Sequence, residues 1–197
     1  YHMSYKDQFV LTGEINAIGE MIHRNVGNSY RQGIELQGAW KPSDWFRWDA
    51  NATFSRNRAK DWTVKNGNGK DVRFGTTHLS FSPDVIFNNI FTFSYKGLEA
   101  GLQSQYIGKQ YMTNDDNKNL TLDAYFVSNV DVSYTFKLKS VKSVTVGATV
   151  YNLFSKKYFT NGHAGAGYDD NGKETSNWAT YSPQAPINFL AHLSITF

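Results

Sequence analysis

Hydrophobic and polar positions alternate along most of this chain. From Trp45 to Ser55, Phe46, Trp48, Ala50, Ala52 and Phe54 fall on one face, while Arg47, Asp49, Asn51, Thr53 and Ser55 fall on the other. That is the period of two expected of a β-strand with two different surroundings. The same pattern recurs. Tyr30, Ile34, Leu36, Gly38 and Trp40 oppose Arg31, Glu35 and Gln37; Phe81, Val85, Phe87, Phe91, Phe93 and Tyr95 oppose Ser82, Asp84, Asn88, Thr92 and Ser94. Leu98, Ala100, Leu102 and Tyr106 oppose Glu99, Gln103 and Gln105, and Phe126, Val130, Val132, Tyr134 and Phe136 oppose Asn129, Asp131, Ser133 and Thr135. Val144, Val146, Ala148 and Val150 oppose Thr145 and Thr149; the chain closes with Ile187, Phe189, Ala191, Leu193, Ile195 and Phe197 opposing Asn188, His192, Ser194 and Thr196. With a partial strand over residues 1–11, the pattern predicts about eight strands.

A soluble sandwich also alternates, so length and connection decide between a core and a bilayer. Several strands exceed the roughly five or six residues of globular strands and reach the roughly 9–11 that a membrane requires. The connections fall into two classes. Residues 41–44, 96–97 and 139–142 read as short turns, whereas 12–28, 59–80, 112–123 and 156–185 read as long loops rich in Gly, Asn and Asp. Short turns at one end and long loops at the other is the arrangement of an outer-membrane barrel, with the turns periplasmic and the loops extracellular.

Composition sharpens this picture. The 197 residues are 40% hydrophobic and 16% aromatic, with only 4 Pro and 16 Gly. Mean hydropathy is −0.51, but an average is blind to alternation, which cancels each apolar position against its polar neighbour. No run approaches the roughly 18 apolar residues of a membrane helix, so only a closed barrel could cross a bilayer. Cysteine is absent, which excludes disulfides, thiolate metal sites and Cys nucleophiles. The net charge of +3 is too small to indicate nucleic acid, and Lys137, Lys139 and Lys142 read as a solvated turn. The first residues show no basic, apolar and cleavage regions of an export signal, so the chain reads as a mature or cleaved piece lacking an N-terminal part.

The Tyr-Arg-Gln-Gly-Ile-Glu-Leu-Gln stretch at 30–37, followed by a short turn and an aromatic strand, resembles the C-terminal barrel of TonB-dependent outer-membrane receptors. So do Val-Tyr-Asn-Leu-Phe-Ser-Lys-Lys-Tyr at 150–158 and Tyr-Ser-Pro-Gln-Ala-Pro at 181–186, which precedes a last strand ending on Phe197. The three parts occur in the family's order, so residues 1–197 as a whole are expected to be the C-terminal part of such a barrel. The resemblance implies an all-β, antiparallel transmembrane barrel of 22 strands, of which this chain supplies about eight, roughly the last third. It implies that the plug domain and the N-terminal barrel strands lie outside this chain. The implied function is uptake of a scarce nutrient, a ferric siderophore, haem or cobalamin, across the bacterial outer membrane with TonB-supplied energy. The implied partners are the N-terminal remainder of the receptor, the lipid bilayer, the TonB complex acting through the plug, and a surface lipoprotein; nucleic acid is not among them.

The resemblance also gives the last strand a role: Phe189, Leu193, Ile195 and Phe197 are expected to form the assembly signal read by the barrel-insertion machinery. Trp40, Trp45 and Trp48 flank the 41–44 turn and read as a membrane-interface belt. In the loops, His23 with Arg24, and His163 near Asp169 and Asp170, carry side chains able to bind a metal chelate or calcium, though their spacing matches no cation loop. Tyr168 and Trp178, large aromatics in the longest loop, are expected to stand exposed for stacking on a ligand or a surface partner. No resident metal or cofactor is expected. Catalysis has no support, since no Ser, His or Asp sits in a recognisable nucleophile setting, and His192 reads as a polar wall or plug contact. Two rival readings stand beside the receptor: a self-contained eight-stranded structural or adhesion barrel, and an outer-membrane enzyme such as a phospholipase using a lumen-rim Ser and His.

Overall fold

The computed structural model describes all residues 1–197. Thirteen strands form: β1 (His2–Ile15), β2 (Met21–Ser43), β3 (Phe46–Lys65), β4 (Asp71–His78), β5 (Val85–Tyr95), β6 (Leu98–Ile107), β7 (Gln110–Tyr111), β8 (Thr121–Leu122), β9 (Tyr125–Leu138), β10 (Val141–Tyr151), β11 (Phe159–Tyr168), β12 (Glu174–Pro183) and β13 (Asn188–Thr196). Eight of them make an antiparallel meander in the order β1-β2-β3-β5-β6-β9-β10-β13. These are the eight strands that the alternation predicts. Their path is open: β1 and β13 stand at its two ends and do not pair, so the eight strands do not close into a small barrel of their own.

The register shows why alternation is legible across the whole wall. Trp40 pairs with Trp48, Trp48 with Phe91, Phe91 with Leu102, Leu102 with Val130, Val130 with Val150 and Val150 with Phe189. One apolar row therefore crosses seven strands on a single face. On the opposite face Arg47, Thr92, Gly101, Asp131, Thr149 and Leu190 pair in succession. Directly opposed side chains are the stabilising unit of a sheet, and a slip by one residue would exchange the two faces. Apolar side chains crowd the first face without being covered: Ile34, Leu36, Phe54, Leu193 and Phe189 are all exposed. A surface of this size facing water would be unstable, and facing hydrocarbon it is the solvated state.

Short turns join the wall strands at one end. Lys96 and Gly97 take φ of 47° and 88°, the two-residue turn whose twist matches a hairpin, and a Cβ on Gly97 would meet the Thr135 carbonyl. At the other end three of the four expected long loops prove to be strands. β1 and β2 continue to a tip at 16–20, β3 and β4 to a tip at 66–70, and β11 and β12 to a tip at 169–173. The tips share one chemistry. Asn16, Asn66 and Asp169 each accept the amides two and four residues later on one side-chain oxygen, at 2.9–3.0 Å. A glycine three residues after each, Gly19, Gly69 or Gly172, takes positive φ and donates to the carbonyl of that Asx residue. Asn/Asp-x-x-Gly is thus a hairpin end rather than a loop, because the side chain replaces the missing ladder bonds.

Phe81 departs from the predicted wall face. Its φ of 50° places it in the turn before β5, where it is partly buried and packs against the cluster of Met112, Leu120, Leu122 and Ala164.

Asn152 accounts for the Asn-Leu-Phe element at the end of β10. It takes φ of 50°, a conformation Asn tolerates better than most residues, and its side chain is 4% exposed. The amide donates to the carbonyls of Lys156 and Ala185 at 2.9 Å each, and the oxygen accepts the Lys156 amide at 2.9 Å. One side chain therefore clips together the chain leaving the wall and the chain returning to it.

Candidate functional site

The long-loop end is a packed cap. Val10, Val26, Ala59, Trp62 and Leu79 form one buried cluster; Met112, Leu120, Leu122 and Ala164 form a second. Ala59 continues the alternation of Ser55 and Asn57, so the first cluster grows from the polar, lumen-side face of β3. The second brings the 112–122 segment over it: Asn114 donates to the Leu11 carbonyl at 2.7 Å and accepts the Ser80 amide at 2.8 Å, tying β1 to a segment more than a hundred residues later. Fully burying an apolar side chain such as Val10, Leu79 or Met112 is worth about 1.5–3 kcal/mol, which explains packed segments where long loops were expected.

Between these clusters lies a cavity of about 260 Å³ lined by His23, Arg24, Glu14, Trp62, Asp115 and Ala166 among others. His23 and Arg24 belong to β2 rather than to a loop. Arg24 lies 4.7 Å over the Trp62 ring and donates to Thr63 Oγ1 at 3.1 Å, which fixes the guanidinium while leaving it accessible. The His23 ring stacks on Phe9 at 4.8 Å. The cavity thus offers a cation, an imidazole and an indole together with the carboxylates of Glu14 and Asp115.

Tyr168 does not stand exposed. It is 7% accessible, edge-on to Phe74 at 4.8 Å, and its hydroxyl donates to Asp115 Oδ2 at 2.7 Å. Burial first, then the hydrogen bond and charge of Asp115, push its phenol above the ordinary tyrosine range. Its role is to hold Asp115 at the cavity. Asn117 donates to both Tyr168 and Glu174, and the hydrogen bonds that Asn177 and then Asn117 donate to Glu174 hold its carboxyl below the ordinary range.

Asp169 caps its own tip, as described above. Asp170 links two tips: Asn66 and Asn68 donate to it at 2.6 and 3.4 Å and Lys70 stands 3.5 Å away. Those bonds, then the lysine charge, lower its pKa. His163 sits in mid-β11 opposite Thr180, away from the tip that carries Asp169 and Asp170, with Nδ1 buried and unpartnered. Trp178 is half-exposed on β12 opposite Gly165, where the ring lies against the glycine Cα. The structure therefore unites His23 and Arg24 with Asp115 and Trp62, and separates them from His163 and Trp178. Sequence reading missed Asp115 and Trp62; the Asn-Asp-Asp-Asn run at 114–117 was the available signal.

At the short-turn end Trp40 and Trp48 face each other across β2 and β3, and Trp45 stacks on Phe93 at 6.2 Å. All three are substantially exposed on or beside the apolar face. On β13, Phe189, Leu193 and Ile195 pair with Val150, Val146 and Val144, on that same face, and Phe197 follows at 81% exposure. His192 points to the other face, its ring lying over Gly147 of β10, where a Cβ would collide with it.

An open antiparallel meander with one continuous apolar face, one polar face, short turns and a packed long-loop cap defines a segment of a transmembrane β-barrel wall. The family model described as TonB dependent receptor-like, beta-barrel matches residues 1–153, and the chain belongs to that family. It is a family of the bacterial outer membrane, and the wall described here is an outer-membrane wall. Among solved structures, the chain is similar to the ferric-catecholate import receptor Fiu from K12 E. coli at 17% identity and TM-score 0.63, covering 100% of this chain and 24% of that one. The ferric yersiniabactin uptake receptor FyuA from Yersinia pestis shares 16% identity at TM-score 0.66, covering 98% and 25%. The copper transporter OprC shares 18% identity at TM-score 0.65, covering 100% and 28%. The chain spans about a quarter of the length of these structures, and at such identities the likeness is one of fold. No curated protein sequence matches the chain.

Proposed function

We propose that this chain is the C-terminal wall of an outer-membrane receptor that imports a scarce nutrient with TonB-supplied energy, and that the nutrient is an anionic, aromatic ferric chelate. The observation carrying this reading is the cavity at the capped end, where Arg24 over Trp62 and His23 over Phe9 offer cationic and aromatic surface together. About 260 Å³ accommodates one aryl arm of a chelate rather than a whole cobalamin or haem. The ferric-chelate receptors among its structural neighbours point the same way.

In this reading the barrel has 22 strands, and the remainder of the receptor supplies the plug, the TonB contact and the neighbours of the free edges of β1 and β13. Hydrocarbon cannot satisfy the backbone groups of an open edge, each of which costs several kcal/mol. The polar face, including the 350 Å³ groove lined by Glu99, Gln103, Asn129, Asp131 and Thr149, is the surface that holds the plug. The chain's part is passive binding rather than catalysis. Trp40, Trp45 and Trp48 anchor the periplasmic interface, and Phe189, Leu193, Ile195 and Phe197 form the assembly signal. Trp178 is the residue left exposed for a surface partner such as a lipoprotein.

The test is Arg24→Gln and His23→Ala in the intact receptor. Losing a charge-assisted hydrogen bond costs about 1.5–3 kcal/mol, so Arg24→Gln should weaken binding of an aryl ferric chelate by about 10-fold or more. Iron-limited growth on that chelate reads the effect in cells. Unchanged binding in both variants would remove this cavity from the uptake route.

A further inference from the structure

Above the apolar band, the outward face of β3 changes from apolar to cationic within two residues. On β3 the outward positions run Phe46, Trp48, Ala50, Ala52 and Phe54, then Arg56, Arg58 and Lys60. From Phe46 to Phe54 is about 27 Å along a strand, or about 21 Å in height at a tilt near 40°, close to the roughly 25 Å apolar band of such barrels. Arg56 therefore stands where acyl chains give way to headgroups. The register carries the same boundary sideways: Phe54 pairs with Ile34 and Val85, Arg56 pairs with Gln32 beside His2, and Lys60 pairs with Asn28 beside Lys6.

Two contacts place these side chains on one surface. His2 stacks on Tyr30 at 6.3 Å, and Lys60 Nζ lies 5.7 Å from the same ring. Arg58 is different, since it is nearly buried and bidentate to Asp84 at 3.1 and 3.2 Å. Asp84 also faces His78, which binds Asp116 at 2.8 Å and packs against Tyr111; Lys109 Nζ lies over that Tyr111 ring at 4.7 Å. The acidic groups of this surface, Asp84 and Asp116, are thus already matched by Arg58 and His78. Lys6, Arg56, Lys60 and Lys109 are exposed and form no ion pair, not even with the neighbouring Asp7 and Asp61.

We propose that Lys6, Arg56 and Lys60, extended by Lys109, bind the phosphate groups of a phosphorylated glycolipid in the outer leaflet, whose acyl chains lie on Ile34, Phe54 and Val85. Charge and continuity with the lipid-facing wall select this occupant: Arg56 is the next outward position above Phe54, Lys60 and Lys6 lie level with each other two outward positions higher, and the rings of Tyr30 and Tyr111 support Lys60 and Lys109. Each Lys or Arg near an anionic membrane surface contributes about 1 kcal/mol, roughly fivefold in affinity, so three together contribute on the order of 100-fold. Charge attraction of this kind weakens with salt.

The experiment uses the intact receptor in detergent and bisphosphorylated lipid A as probe. The triple variant Lys6→Gln, Arg56→Gln, Lys60→Gln should bind the probe on the order of 100-fold more weakly. Lys137→Gln with Lys139→Gln and Lys142→Gln, at the opposite end, should bind as the parent does. Lipid A stripped of both phosphates should bind the parent as weakly as the probe binds the triple variant. Heat-modifiable gel mobility checks that the barrel has formed, and single variants, each expected to lose about fivefold, serve where the triple does not fold. Full binding by the folded triple variant, equal binding of the stripped lipid, or equal competition by phosphatidylglycerol would each overturn the proposal.

Discussion

Replacing Asn152 with alanine should destabilise the β10–β11 junction more than any exposed substitution in the wall. The side chain makes three hydrogen bonds at 2.9 Å in a setting 4% exposed, and its backbone holds φ of 50°. Alanine removes all three bonds, each worth about 1 kcal/mol net, and adds about 1 kcal/mol for the left-handed backbone, giving about 4 kcal/mol. Asn152→Gly separates the two causes, since glycine accepts the backbone and loses only the bonds, for about 3 kcal/mol. Urea unfolding of the intact receptor in lipid vesicles, followed by tryptophan fluorescence, gives the global figure. Protease cleavage within residues 156–185 reports the junction itself, because the clip joins Lys156 to Ala185. If Asn152→Ala unfolds within about 0.5 kcal/mol of the parent and its hairpin resists protease equally, the clip is not what holds the hairpin to the wall.

Val132→Arg or Ala148→Arg, cross-strand partners on the apolar face, should each cost about 2–4 kcal/mol in vesicles, whereas Asn129→Arg or Thr149→Arg should cost far less; equal costs would reverse the face assignment. Docking of the 66–70 and 169–173 tips should hold through neutral pH and weaken in acid. Asp170 has a lowered pKa when docked, so its contribution is present above the undocked value and lost as pH falls through the docked one. Spin labels at Gly67 and Asn171 should report a distance that broadens only on the acid side. Tyr168 has the opposite sign: its raised pKa keeps its contribution below about pH 10 and loses it as pH rises further, so cap protection from hydrogen exchange should fall only in strong alkali. Gly147→Ala should displace the His192 ring, detected as a changed imidazole resonance, and an unmoved resonance would refute the contact seen here.

The wall was legible in the sequence because a strand between lipid and lumen meets two solvents, and each residue must suit one of them. Trp48, Phe91, Leu102 and Val130 declare their face one by one, and pairing then aligns them without further information. The hairpin ends were written just as locally, in Asn-Ala-Ile-Gly, Asn-Gly-Asn-Gly and Asp-Asp-Asn-Gly, but a composition-based reading takes Gly, Asn and Asp for loop. What composition could not reveal was the cap. Tyr168 looked like an exposed aromatic because its partners, Phe74 and Asp115, lie many residues away and meet it only when β11 and the 112–122 segment fold over β1 to β4. Arg24 and Trp62 likewise become one surface only through the pairing of β2 with β3. Alternation is set by each residue's own solvent, so the sequence by itself determined the wall; the cavity depends on long-range packing between segments with no mutual periodicity, so only the tertiary structure decided it.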